Sequence, residues 1–194
     1  MRLQDLTRTF AERLSRHAFR MFGVDYLSRA SISTRDDLRH IGTKYGGWVV
    51  PTRLLRSDSV CYCVGCGEDI SFDLGLIEAL QCDVYGFDPT PRAVEHVNRT
   101  AGNNPKYHFY EVGLWDEESE LNFYAPRNSE HVSHSLLNLQ RTDEFILAKV
   151  KRLSSIMKEL GHSRLDLLKI DIEGAEYKVI DSIIDDNIDV KIIC

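Results

Sequence analysis

Val60-Cys61-Tyr62-Cys63-Val64-Gly65-Cys66-Gly67-Glu68-Asp69-Ile70, carried on to Gly86-Phe87-Asp88, is the stretch that decides the fold. Val60–Val64 is an apolar run too short for a helix and rich in β-branched and aromatic residues, so it reads as a buried strand. The turn Gly65-Cys66-Gly67 follows. Apolar residues then fall at helical spacing, with Ile70, Leu74 and Ile77 on one line and Phe72, Leu76 and Leu80 beside it. Val84–Phe87 is a second short strand, and it ends in Asp88. The whole is one β-α-β unit whose glycine turn faces the carboxyl ends of the strands, where open α/β sheets bind ligands.

The two glycines permit a sharp strand-to-helix reversal and a close approach of backbone to ligand, both of which a Cβ would obstruct. Asp88 lies about 20 residues beyond the turn, the offset at which an acid meets ribose hydroxyls. Gly65 and Gly67 could simply make a tight turn, and Asp88 simply precede a helix; strand, helix and acid together favour a nucleoside site. A dinucleotide fingerprint wants glycine at position 70, where the chain has Ile70, and a GxGxG loop wants it at Asp69. Glu68 and Asp69 would repel a pyrophosphate. S-adenosylmethionine carries no phosphate, and an acidic loop favours its sulfonium and ammonium groups. A nicotinamide-dependent oxidoreductase and a non-catalytic nucleoside-binding module are the alternatives.

At 194 residues the chain has the length of one domain, long enough to bury roughly 70% of its unfolded surface. A net charge of −6 argues against a general nucleic-acid binder. No apolar run approaches the roughly 20 residues of a membrane span, and the charged, amphipathic N-terminus does not read as a secretory signal. The cysteines, Cys61, Cys63, Cys66, Cys82 and Cys194, are odd in number and point to free thiols in a reducing, cytoplasmic setting. Cys61 and Cys63 read as small hydrophobes on a strand face, since no second half of a zinc motif follows. Residues 1–56 form an N-terminal helical extension, with Leu6, Phe10, Leu14, Ala18 and Met21 on one stripe. Ser33–Asp37 has the character of a helix start. Tyr45–Pro51 reads as a turn and an extended segment, with Trp48 either on the site's lip or in the core. Residues 57–194 are the ligand-binding domain.

Beyond Asp88, Thr90 caps a helix that Pro91 opens. Tyr107–Val112 is a third strand, and Gly113-Leu114-Trp115-Asp116 a loop that reaches the crevice, with Trp115 placed to flank an adenine and Asp116 to accept its amine. Leu121–Ala125 is a further strand. His131-Val132-Ser133-His134-Ser135-Leu136 gathers two histidines and two serines in a polar loop, the mark of a site. Lys149–Gly161 is expected to be helical. Leu165–Ile170 is a fourth core strand, delivering Asp171, Glu173 and Glu176; Asp171, at its carboxyl end next to the crevice, is the functional candidate among these acids. Glu176 reads as a complement to the helix dipole, and Glu173 fits either role. Tyr177–Ile184 is a helix and Val190–Cys194 a fifth strand. No histidine stands at ligand spacing from Asp171 and Glu173, so no metal is assigned.

Leu168-Lys169-Ile170-Asp171-Ile172-Glu173-Gly174-Ala175-Glu176 resembles the signature of FkbM-type S-adenosylmethionine-dependent methyltransferases, and Val64–Asp73, Gly86–Pro91 and His131–Leu136 resemble a subgroup of that family. The resemblance spans Trp48 to Cys194. It implies a class I methyltransferase fold, α/β and doubly wound with a Rossmann-like sheet, and methyl transfer to oxygen on a small molecule or sugar. By position it assigns Gly65, Gly67, Glu68 and Asp69 to the cofactor loop, Asp88 to the ribose, and Asp171 to the fourth-strand acid. Gly113 and Asp116 join the cofactor set, and His134 and Asp171 are the candidate bases. The family continues with a further helix and an antiparallel strand pair, whereas this chain stops at its fifth strand. The expectation is therefore a C-terminally truncated form whose sheet lacks its last strands.

Overall fold

The computed structural model describes residues 35–124, 145–172 and 174–194. An antiparallel hairpin comes first, β1 (Leu38–Ile41) and β2 (Trp48–Pro51), with Ile41 opposite Trp48. Then follow β3 (Val60–Val64), α1 (Ser71–Leu80), β4 (Asp83–Phe87), α2 (Pro91–Ala101) and β5 (Tyr107–Tyr110). A second set, β6 (Gly113–Leu114), β7 (Ser119–Tyr124) and β8 (Phe145–Lys151), precedes α3 (Leu153–Leu160), β9 (Leu167–Ile170) and α4 (Glu176–Asp185).

The central sheet is wholly parallel, in the order β5-β4-β3-β9. Residues 190–194 extend it beyond β9. Leu168 N–H donates to the Ile192 carbonyl and Cys194 N–H to the Leu168 carbonyl, each at 2.9 Å. These bonds form the parallel bridge of Leu168 with Ile193, and Leu165 bridges Val190 through the Asp189 carbonyl and Lys191 N–H; together they are the expected fifth strand in shortened form.

Side-chain alternation along β3 explains why both faces are covered. Cys61 and Cys63 point into one apolar cluster with Phe72 and Leu76 of α1 and Ala93 and Val97 of α2. Tyr62 and Val64 point into another with Leu153, Ile156, Val179 and Ile183 of α3 and α4. A strand buried on both faces carries the near-continuous apolar run seen at Val60–Val64. Each fully buried aliphatic in these layers contributes about 1.5–3 kcal/mol. A smaller cluster, Trp115, Phe123, Ala148, Val150 and Ala175, packs at the three-stranded β6-β8-β7 sheet.

Three local expectations are corrected. Where Ser33–Asp37 was read as a helix start, Asp37 is buried and β1 begins at Leu38; Ser33 and Thr34 lie outside the described residues. Pairing with β2, and the burial of Ile41 beside α1, outweigh the local capping signal. Asp37–Cys194 is one compact unit, which includes the β1–β2 hairpin. The helix stripe at Leu6–Met21 lies outside the described residues. Lys149–Lys151 is strand: Ala148 and Val150 point inward from β8 at period two, Arg152 stays extended, and the helix starts at Leu153. It closes on Gly161 at φ +72°, as its glycine foretold. Finally, Thr90 does not cap α2 with its hydroxyl, which is turned to Asp88 instead.

Candidate functional site

At the carboxyl ends of β3, β4 and β9 lies a cleft of about 660 Å³. Its floor is the glycine turn. Gly65 sits at φ +80° and Gly67 at φ +51°, and a Cβ on Gly65 would stand 1.8 Å from the Asp171 carbonyl oxygen. The first turn of the β-α-β unit and the end of β9 therefore touch backbone to backbone, a contact open only to glycine. Gly65 N–H donates to the Phe87 carbonyl at 2.9 Å, and Asp171 N–H to the Val64 carbonyl at 3.1 Å.

Asp88 holds the second glycine. Its Oδ2 accepts from Gly67 N–H at 3.0 Å, and its Oδ1 accepts from Thr90 N–H at 2.9 Å and the Thr90 hydroxyl at 2.7 Å. A carboxylate oxygen can accept about two hydrogen bonds, so Oδ2 retains capacity toward the cleft. Glu68 is held by Arg92 through Nη2–Oε2 at 2.8 Å and Nε–Oε1 at 3.3 Å. Asp69 turns to the hairpin, accepting from the Thr43 hydroxyl at 2.6 Å while its other oxygen takes Ser71 N–H at 2.9 Å. Burial alone would push the Asp69 carboxyl up; the hydrogen bonds from Ser71, Thr43 and Gly46 outweigh it and hold the group below the usual carboxylate range.

On the β9 side, Lys169 is buried, and its Nζ donates to the Gly65 carbonyl while lying 3.9 Å from Asp171 Oδ2. Below the turn, buried Asp73 accepts from the Tyr107 hydroxyl at 2.8 Å, and the Cys66 thiol lies 3.5 Å from the same hydroxyl. Desolvation pushes the Asp73 carboxyl up, and the Lys169 charge pulls it back. Desolvation likewise pushes the Cys66 thiol well up, so it stays a packing group and not a nucleophile.

The structure thus brings Gly65, Gly67, Glu68, Asp69, Asp88, Gly113 and Asp171 to one cleft. Asp116 is not among its lining residues: its carboxylate pairs with Lys178 at 3.3 Å and its carbonyl accepts from Arg152. Trp115 is not free to flank a base, because it is buried with Phe123 and carries Lys178 4.7 Å above its ring. Trp48 packs on the core and does not line the cleft. His134 and Glu173 lie outside the described residues. Sequence reasoning passed over Lys169, Phe123 and Tyr45, all of which line the cleft. A lysine interrupting the apolar strand Leu165–Ile170 was the one available signal, since a buried lysine needs a partner. No helix among the described residues is long and apolar enough to cross a membrane.

A family model described as the methyltransferase FkbM domain matches residues 67–194. Among curated proteins, the chain is similar to the probable methyltransferase-like protein 24 of Rattus norvegicus, 27% identical over 124 residues, which is 63% of this chain and 28% of that protein. The Homo sapiens protein of the same name is 26% identical over 124 residues, covering 63% and 27%. The 2-O-methyltransferase NoeI of Sinorhizobium fredii is 25% identical over 142 residues, covering 66% and 58%. The chain spans less than two thirds of the length of each of these relatives. No solved structure matches it significantly. A family match running from the second glycine of the turn to the final residue, across α1, β4 and the Asp171 strand end, establishes that the chain belongs to the FkbM methyltransferase domain family.

Proposed function

We propose that the chain binds S-adenosylmethionine in a Rossmann-like class I methyltransferase sheet and forms the donor half of an oxygen methyltransferase acting on a small molecule or sugar. The observation that carries this reading is the convergence of four carboxylates, Glu68, Asp69, Asp88 and Asp171, on a glycine-floored cleft whose lining includes one ammonium, Lys169. That ammonium is turned to the Gly65 carbonyl, and Arg92 is tied to Glu68. A phosphate would meet carboxylates at the turn, whereas a sulfonium and an amino group meet opposite charge. The name of the Sinorhizobium relative supports oxygen as the methylated atom.

The residues present fit such a donor. Gly67 leaves open the space a Cβ would fill, Asp88 Oδ2 has acceptor capacity for a ribose hydroxyl, and Gly113, Leu114 and Phe123 supply a wall for a flat base. When bound, the donor supplies a methyl group on sulfonium sulfur, open to in-line displacement by a hydroxyl oxygen. The chain's own work is to hold the two reactants in line and to take the hydroxyl proton. Asp171 is the proposed proton acceptor: it stands at the end of β9 on the cleft, with its carboxylate 58% exposed and Lys169 near one oxygen. His134 is the second proposed base.

Calorimetry with S-adenosylhomocysteine and with NAD tests the reading. Binding of the homocysteine nucleoside, no binding of NAD, and an affinity loss of about tenfold or more in Asp88→Ala are expected, since that substitution removes the ribose acceptor and frees Gly67 N–H. NAD binding in its place would overturn the proposal and favour an oxidoreductase. Unchanged affinity in Asp88→Ala would remove the ribose assignment.

A further inference from the structure

The β1–β2 turn lies upstream of the region matched by the family, yet Tyr45 and Gly46 line the cleft. The turn is built and fixed. Thr43 is its hub: the hydroxyl donates to Asp69 at 2.6 Å and accepts from Gly46 N–H at 2.9 Å, the Thr43 N–H donates to the Ser71 hydroxyl at 2.8 Å, and the Thr43 carbonyl accepts from Gly47 N–H at 2.9 Å. Gly46 lies so close to Asp69 that a Cβ there would stand 2.5 Å from its Cγ. The turn and the cofactor loop are thereby joined into one wall. At its tip the Tyr45 side chain is 93% exposed.

A fixed turn that holds a whole aromatic ring in water at the mouth of a cleft contributes nothing to the core. Its apolar area is gained only when something covers it. We infer that Tyr45 is a ligand-contacting residue of the donor cleft, its ring laid against the bound adenosyl ligand. The inference rests on the reading of the cleft as a donor site. The chemistry is suited to that ligand: an electron-rich ring face attracts a sulfonium or ammonium group and equally stacks on a base.

The test is calorimetric titration of the full chain with S-adenosylhomocysteine, in wild type, Tyr45→Ala and Tyr45→Phe. Tyr45→Ala is expected to weaken binding about tenfold, within the range of alanine substitutions at stacking aromatics. Tyr45→Phe is expected to bind within about twofold of wild type, because it keeps the ring. Unliganded melting temperatures should be equal in all three, since the side chain lies in water. Wild-type binding with an unaltered affinity in Tyr45→Ala would overturn this inference and leave the proposed function standing. A Tyr45→Phe as weak as Tyr45→Ala would overturn the role of the ring. A wild-type chain that binds neither S-adenosylhomocysteine nor S-adenosylmethionine would overturn the donor site and this inference together.

Discussion

The two flanks of the cleft are both acidic, but they are built differently. On the glycine-turn flank every carboxylate has a protein partner: Glu68 has Arg92, Asp69 has Thr43 and Ser71, and Asp88 has Gly67 and Thr90. On the β9 flank Asp171 is half in water, and its nearest cation, Lys169, directs its hydrogen bond to the Gly65 carbonyl. The first flank is preorganised, its acids fixing the loop before any ligand arrives. The second offers a carboxylate that accepts no side-chain hydrogen bond among the described residues. Acids that line one cleft can therefore differ in task, and partner bonds distinguish them better than charge does.

The strongest way to break this contrast is to disturb the point where the flanks touch. Gly65→Ala combines a left-handed backbone with a Cβ driven onto the Asp171 carbonyl, and should cost about 2–5 kcal/mol in denaturant unfolding and abolish S-adenosylhomocysteine binding. Wild-type stability in that variant would show that the flanks can part freely. Asp171→Asn should separate function from stability. Unfolding free energy should move by less than about 0.5 kcal/mol, as for exposed sites, while methyl transfer to whichever hydroxyl acceptor the wild type uses falls about a hundredfold. An equal loss in stability would place Asp171 with the structural acids.

Acid titration sharpens the contrast further. The Asp69 carboxyl is held below its ordinary value of 3.8, so its contribution to stability is complete above that pH and is lost as pH falls below it toward the folded-state value. Acid unfolding followed by circular dichroism should be shallower below pH 3.8 in Asp69→Asn than in wild type, and identical slopes would contradict the Thr43–Asp69 tie. The smallest effect belongs to Glu68→Gln. Its pair with Arg92 is more than a third exposed on both sides, so the stability change should be under about 1 kcal/mol. A larger loss on thermal unfolding would mean that the pair clamps the turn.

The β-α-β unit was legible because each of its parts carries its own periodic signal: the run Val60–Val64, the helical stripe of α1, and the acid closing β4. The hairpin was legible only as a turn followed by an extended segment, because β1 (Leu-Arg-His-Ile) has one inward residue and owes its form to β2 and α1. Lys149–Gly161 misled because a strand and a helix abut there, and the inward alternation of β8 mimics part of a helical stripe. Asp116 lies in the loop that chain order places at the crevice, but its carboxylate pairs with Lys178, 62 residues later, and it is not among the cleft's lining residues.

By itself the sequence determined the parallel α/β core, the position of the glycine turn, and the acids delivered at the ends of β4 and β9. These are properties of neighbours along the chain, set by strand alternation, helical spacing and turn chemistry. Only the tertiary structure decided which acids are already bonded, that Lys169 binds the Gly65 carbonyl, and that Tyr45 stands at the mouth of the cleft. Those facts depend on contacts such as Thr43–Asp69 and Lys169–Gly65, 26 and 104 residues apart, whose geometry no local pattern carries.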